Sequence, residues 1–213
     1  APHSVASLLI TVKIVVPTWG SLLLIGIGAR KYRALPKCHR DHIRITRRSP
    51  DLRDMATSDE IFLREAISLA RTGMERGDGG PFGCVIVKDG SVIGRGNNRV
   101  TSTNDPTAHA EVVAIRAACA ALRSFQLDGC VLYTSCEPCP MCLGAIYWAR
   151  PDRIVFAATR ADAADAGFDD QLIYDELPLA PELRRISTTS SLLRNEACAL
   201  FMTWMEKEDR VRY

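Results

Sequence analysis

One ordered set of side chains constrains this chain of 213 residues more than any other feature. His109-Ala110-Glu111 is followed downstream by Pro138-Cys139-Pro140-Met141-Cys142. A C-x-x-C pair at the start of a helix lets both sulfurs converge on one ion, and the helix dipole and free N–H groups there stabilise thiolates. His109 stands at the start of a second predicted helix. Two thiolates and one imidazole make three ligands of a tetrahedral Zn2+. A structural zinc normally takes a fourth protein ligand, and no obvious fourth His or Cys stands at a fitting spacing. Cys136 is the one rival nearby, and it also reads as a small buried residue. An open fourth position, with room for water, is the catalytic arrangement.

Glu111, two residues after the His, is placed to sit beside the ion without ligating it. Zinc brings the pKa of a coordinated water to about 7. A neighbouring carboxylate then takes the proton and delivers protons to a ring and to a leaving amine. Each half alone has a plainer reading. A C-x-x-C also serves as a redox pair, and a lone His-x-Glu is usually only a helix start. Together and in this order, each opening a predicted helix after a loop, they form a zinc-deaminase signature. A structural zinc is the remaining alternative.

The surrounding chain alternates strands and helices. Ile61, Leu63, Ala66, Ile67, Ala70 and Met74 recur at helical spacing and predict a helix over about 59–76, capped by Thr57 or Ser58. Gly77-Asp78-Gly79-Gly80-Pro81 ends it. Residues 84–87 and 91–95 read as strands joined by an Asp89-Gly90 hairpin turn. A helix is expected over 107–123, a strand over 130–134, a helix over 139–149 and a strand over 153–158. Beyond 160 the signals weaken. A short helix at 162–167, a loop at 167–170, an edge strand at 184–189 and an amphipathic helix at 196–207 are expected. The alternation predicts an α/β fold, a sheet with helices on both faces.

Composition bounds the rest. With 47% hydrophobic and 24% charged residues, the chain is not wholly disordered, collagen-like or a multi-span membrane protein. The net charge of +2 is unevenly spread: residues 1–54 carry 10 basic and 3 acidic residues, the remainder 17 and 22. The body is therefore net −5 with no evident basic stripe, and no nucleic-acid partner is expected. Eight cysteines in a body long enough to build its own core need no disulfide framework. Crowding of three into Cys136–Cys142 favours a metal site in a reducing, cytoplasmic compartment. Residues 5–29 are largely apolar and long enough to span a bilayer, but Lys13 and Pro17 interrupt them. A helix start just after Met55 suggests that 1–54 is an upstream or leader extension. A membrane role holds only if 5–29 is a genuine segment.

At these residues the chain resembles the cytidine and deoxycytidylate deaminase superfamily, and within it the bacterial guanine deaminases. GGPFG at 79–83, NDPTAHAE at 104–111, SCEPCPMCLGAIYWARP at 135–151 and GFDDQLIY at 167–174 carry the likeness. It covers the chain from about Ile61 to Tyr213. The resemblance implies a three-layer α/β/α fold with a five-stranded mixed sheet between helices. It implies a deaminase domain over 55–213, with its core at about 59–165 and a C-terminal segment completing the active site. His109, Cys139 and Cys142 are then the zinc ligands and Glu111 the proton shuttle. Asn98 matches the base-binding asparagine, although a turn Asn is the alternative. Phe82 matches the ring-stacking position, with a core Phe as its alternative. Trp148 is a further pocket candidate, more easily explained by helix packing. Asp170 matches the acidic residue that recognises guanine, while Asp169 reads as a turn or capping residue. The resemblance also implies a homodimer with exchanged C-terminal segments, Tyr213 reaching the neighbour's pocket. Cys84 stands where relatives commonly have Ala, a small apolar change.

The implied activity is zinc-dependent hydrolysis of guanine to xanthine and ammonia. Guanosine, or another nucleoside or nucleobase, is the alternative substrate. A zinc-stabilised binding module without catalysis is the alternative of another class, and the intact Glu111 argues against it.

Overall fold

The computed structural model describes residues 52–212, with side chains from residue 58 onward. The readings on residues 1–51, the apolar stretch 5–29 among them, and on Tyr213 lie outside the described residues. Helix α1 spans Leu52–Glu75. It starts earlier than its apolar pattern predicts, so neither Thr57 nor Ser58 caps it. Leu52, Arg53, Met55 and Ala56 are all good helix formers, and no Gly or Pro interrupts them.

Strands β1 (Gly83–Lys88) and β2 (Ser91–Asn97) form the expected hairpin. Asp89 and Gly90 both take positive φ, 48° and 75°, as a type I′ turn requires. A short α2 (Val100–Thr103) interrupts the expected loop, and α3 (Ala110–Leu122) follows. Strand β3 (Cys130–Cys136) pairs antiparallel with β1. Helix α4 (Pro140–Ala149) then crosses over to β4 (Arg153–Ala158), which is parallel to β3. The sheet order is β2-β1-β3-β4, and the sheet is mixed, as predicted. Helices α5 (Arg160–Asp165), α6 (Gln171–Glu176) and α7 (Arg194–Glu206) complete the described chain.

Both faces of the sheet are covered, which explains the unbroken apolar run of β1. Cys84, Ile86 and Leu132 pack with Ala110, Ala114 and Ala118 of α3 and Ile146 of α4. Val85, Val87 and Tyr133 point the other way, onto Phe62, Leu63 and Leu69 of α1. The alternation of side chains along a strand thus divides β1 between two cores. The Ala-rich face of α3 lies so close to β2 that a Cβ on Gly96 would stand 2.2 Å from the Ala110 carbonyl oxygen. Asp59 fastens α1 to the sheet edge: its carboxylate accepts from Arg153 (2.6 and 2.8 Å) and from the Tyr133 hydroxyl (2.7 Å).

The sheet has four strands among the described residues, not the expected five. The expected edge strand at 184–189 is irregular chain. That stretch runs into Ser187-Thr188-Thr189-Ser190-Ser191, with no alternating apolar face, and Arg185 is bound to Glu176 instead of to a strand. No helix among the described residues is long and apolar enough to cross a membrane.

Candidate functional site

The antiparallel hairpin and the parallel β3–β4 pair bring the start of β1 and the ends of β2, β3 and β4 to one end of the sheet. The candidate residues gather there. His109 is the N-cap of α3 and Cys139 the N-cap of α4, each in extended conformation just before its helix. Pro140 follows at the first helical position, where its missing N–H costs nothing. Cys142 lies one turn into α4 and is buried.

The Nδ1 of His109 lies 3.6 Å from Cys139 Sγ and 3.5 Å from Cys142 Sγ. Zinc–nitrogen and zinc–sulfur bonds of ordinary length meeting at a tetrahedral angle place N and S about 3.6 Å apart. The three ligand atoms all lie within 4.8 Å of one another, so the donor set fits one Zn2+ in distance and in chemistry. Hydrogen bonding from Cys142, then the His109 ring, holds the Cys139 thiol down at about 4. The Cys142 thiol, sharing that proton and buried, is pushed up. Cys136 does not join the cluster. Its Sγ donates to the Thr159 carbonyl (3.5 Å), and burial lifts its pKa to about 11. The plainer reading of Cys136, a small buried residue, fits this placement.

Glu111 is 6% exposed. Its Oε2 accepts from Cys142 Sγ at 3.4 Å, and its Oε1 from the Thr134 hydroxyl at 3.4 Å. Burial raises its pKa above the ordinary carboxyl value, opposed by hydrogen bonds from its own backbone and from Cys142. A carboxyl whose charged form is disfavoured by burial is a better proton acceptor than an exposed one.

A cavity of about 330 Å³ opens beside the ligand cluster, at His109 and Cys139. His109, Glu111, Cys139, Asn98, Phe82 and Asp170 all line it. Asn98 is buried, and its Oδ1 accepts from the Val100 N–H (3.2 Å), which leaves the amide N–H groups as its further donors. Phe82 meets Phe168 edge-to-face, with ring centroids 4.9 Å apart. Asp169 Oδ1 accepts from the Gln171 N–H at 2.9 Å, the turn role expected of it. Asp170 faces the cavity, and burial together with the Cys139 thiolate raises its pKa.

Trp148 is not brought to this cavity. Cys142, Ile146 and Ala149 form the buried face of α4, and Trp148 lies off that face, 63% exposed. It lines an outer groove with Ile115 and Phe125. The sequence reading also passed over Phe168, Glu137 and Arg160, which line the cavity. Phe168 sits inside the GFDD stretch and Glu137 inside CEPC, so both were within reach of the motifs. Arg160 carries no local signal beyond its place at the start of a helix.

The comparisons with known proteins agree with this geometry. The family model of the cytidine and deoxycytidylate deaminase zinc-binding region matches residues 56–158. Guanine deaminase of Bacillus subtilis is 54% identical over 154 residues, covering 72% of this chain and 98% of that protein. The X-ray structure of guanine deaminase from Bacillus subtilis superposes with a TM-score of 0.70 at 55% identity, over 72% of this chain and 98% of that one. A tRNA-specific adenosine deaminase of Aquifex aeolicus is 42% identical over 99 residues, covering 46% of this chain and 65% of that protein.

Proposed function

Because the chain belongs to the cytidine and deoxycytidylate deaminase family, we propose that it hydrolyses guanine to xanthine and ammonia. His109, Cys139 and Cys142 hold Zn2+. When bound, the ion supplies the Lewis acidity that makes water a nucleophile near neutral pH. Glu111 takes a proton from that water and passes protons to the ring nitrogen beside C2 and then to the departing amine. Water adds its oxygen to C2, and the bond from C2 to the exocyclic amine then breaks, so guanine and water give xanthine and ammonia. Asn98 offers amide donors to acceptors on the purine edge. Phe82, backed by Phe168, supplies an aromatic wall for a flat ring. Asp170 accepts from the N–H groups at N1 and the 2-amino group.

The observation that carries this reading is the placement of Glu111 against the ligand cluster with Asp170 on the wall of the same cavity. Hydrolysis needs the first, and a substrate with an N–H-rich edge suits the second. The partner we propose is a second copy of this chain with its C-terminal segment exchanged. Leu200, Phe201, Met202 and Met205 of α7 and Tyr147 and Trp148 of α4 are exposed apolar side chains that such a copy would cover. A cytoplasmic location is in keeping with seven described cysteines that form no disulfide among themselves.

Steady-state rates with guanine and guanosine side by side test the substrate. Higher kcat/KM for guanine supports the reading. A preference for guanosine would keep the chemistry and overturn the free base as substrate.

A further inference from the structure

The cavity wall holds one permanent cation that the chemistry above does not use. Among the lining residues only Arg160 is a Lys or Arg. Its guanidinium carbon sits 4.3 Å from the centroid of the Tyr174 ring, a stacked cation–π contact. Its own main chain is fixed at both sides. The Arg160 N–H donates to Glu137 Oε2 (3.0 Å), and the Glu137 N–H donates to the Ala158 carbonyl (2.8 Å). Thr159 and Asp162 form a reciprocal capping box around the start of α5. Arg160 is thereby anchored to the loop that leads into Cys139.

Tyr174 belongs to α6, a helix of only six residues. A helix that short does not hold itself in place. Asp170 is its N-cap residue but makes no side-chain capping bond, so the cap does not orient the carboxylate. Tyr174 lies four residues after Asp170, one turn on and on the same side, and its N–H donates to the Asp170 carbonyl (3.4 Å). A ring pinned at Tyr174 therefore fixes the rotation of α6 that sets where Asp170 points. At the other end of α6, Glu176 binds Arg185.

We propose that Arg160 is a positioning residue for Asp170: by stacking on Tyr174 it clamps α6 to the zinc-ligand loop and keeps the Asp170 carboxylate on the cavity wall. The proposal rests on the reading that Asp170 contacts the substrate.

The test is a double-mutant cycle on kcat and KM for guanine, with zinc content and melting temperature recorded for each protein. Asp170→Asn lowers kcat/KM. Arg160→Gln and Tyr174→Leu each raise KM for guanine roughly tenfold, the scale of a lost positioning contact, with a smaller change in kcat and full zinc content. Tyr174→Phe keeps the ring and recovers most of what Tyr174→Leu loses. Arg160→Lys keeps the charge without the planar stack and stays impaired. In the Asp170→Asn background, Arg160→Gln adds less than about a twofold further loss, because coupled residues are not additive. A loss from Arg160→Gln that persists in full beside Asp170→Asn overturns the proposal while leaving the role of Asp170 intact. So does normal kinetics in Arg160→Gln when Asp170→Asn is impaired. If Asp170→Asn alone leaves kcat/KM unchanged, the reading of Asp170 fails first and the proposal falls with it.

Discussion

Up to Ala158, strands β1 and β3 are buried by helices on both faces, and the ligand atoms of His109, Cys139 and Cys142 converge at one end of the sheet. After Ala158, Glu176 is the one buried side chain among the described residues. Yet that second region supplies Arg160, Phe168 and Asp170 to the cavity. The first region makes its own core and carries the chemistry. On the proposed function the second adds recognition with little packing of its own, so its geometry depends on clamps, caps and, in the proposed dimer, a neighbouring surface. Reaction and selectivity are thereby assigned to parts of the chain with different mechanical support.

The largest expected effect lies in the first region. Cys139→Ala removes a thiolate from a three-residue donor set, so bound zinc falls well below one ion per chain and guanine turnover drops by roughly 10³-fold or more. Metal analysis and an ammonia assay on the same preparation check this. Next comes packing. Gly96→Ala forces a methyl group onto the Ala110 carbonyl and destabilises the fold by about 1–3 kcal/mol, read as a lowered melting midpoint.

The second region should respond in another way. Phe201→Asp, on the exposed face of α7, leaves zinc content unchanged but shifts the protein from dimer to monomer in sedimentation or scattering. A dimer that survives the change would break the contrast, since α7 would then not need a neighbour.

The smallest effect belongs to the tie between α1 and the sheet edge. Hydrogen bonds from Arg153 hold the Asp59 carboxyl below its ordinary 3.8. A carboxyl depressed on folding adds stability above its unfolded pKa and loses it as pH falls through the folded value. Asp59→Ala should therefore melt a few degrees lower at pH 7, a loss of about 1 kcal/mol because Arg153 is partly open to solvent, and the gap should narrow as pH falls below the ordinary carboxyl value of 3.8 and through the lower folded value.

The same division governs how much was legible in the sequence. His109-x-Glu111 and Cys139-x-x-Cys142 were readable because helix starts fix both spacing and direction, and the structure brings them together. The hairpin was readable because Asp-Gly meets a specific backbone demand. The start of α1 was misplaced because Thr57 and Ser58 resemble caps locally, while helical propensity upstream carries the helix on to Leu52. Trp148 was offered to the pocket by its nearness to the motif, and the face of α4 it occupies keeps it out of the cavity within one chain. The edge strand at 184–189 failed because its interactions run to Glu176 and not to a strand partner. Helix α6 and the role of Arg160 left no periodic signal, since six residues are too few and a cation–π contact joins positions fourteen apart.

The central claim is that Glu111 moves the protons for a reaction run at the His109, Cys139 and Cys142 zinc site. Glu111→Gln tests it most directly, because the amide keeps the size of the side chain and removes its proton chemistry. Zinc content and ammonia release from guanine should be measured together on the wild type and the variant. Zinc retained at the wild-type level, with kcat lowered about 10²–10⁴-fold, is the predicted result. Normal turnover with zinc in place would contradict it.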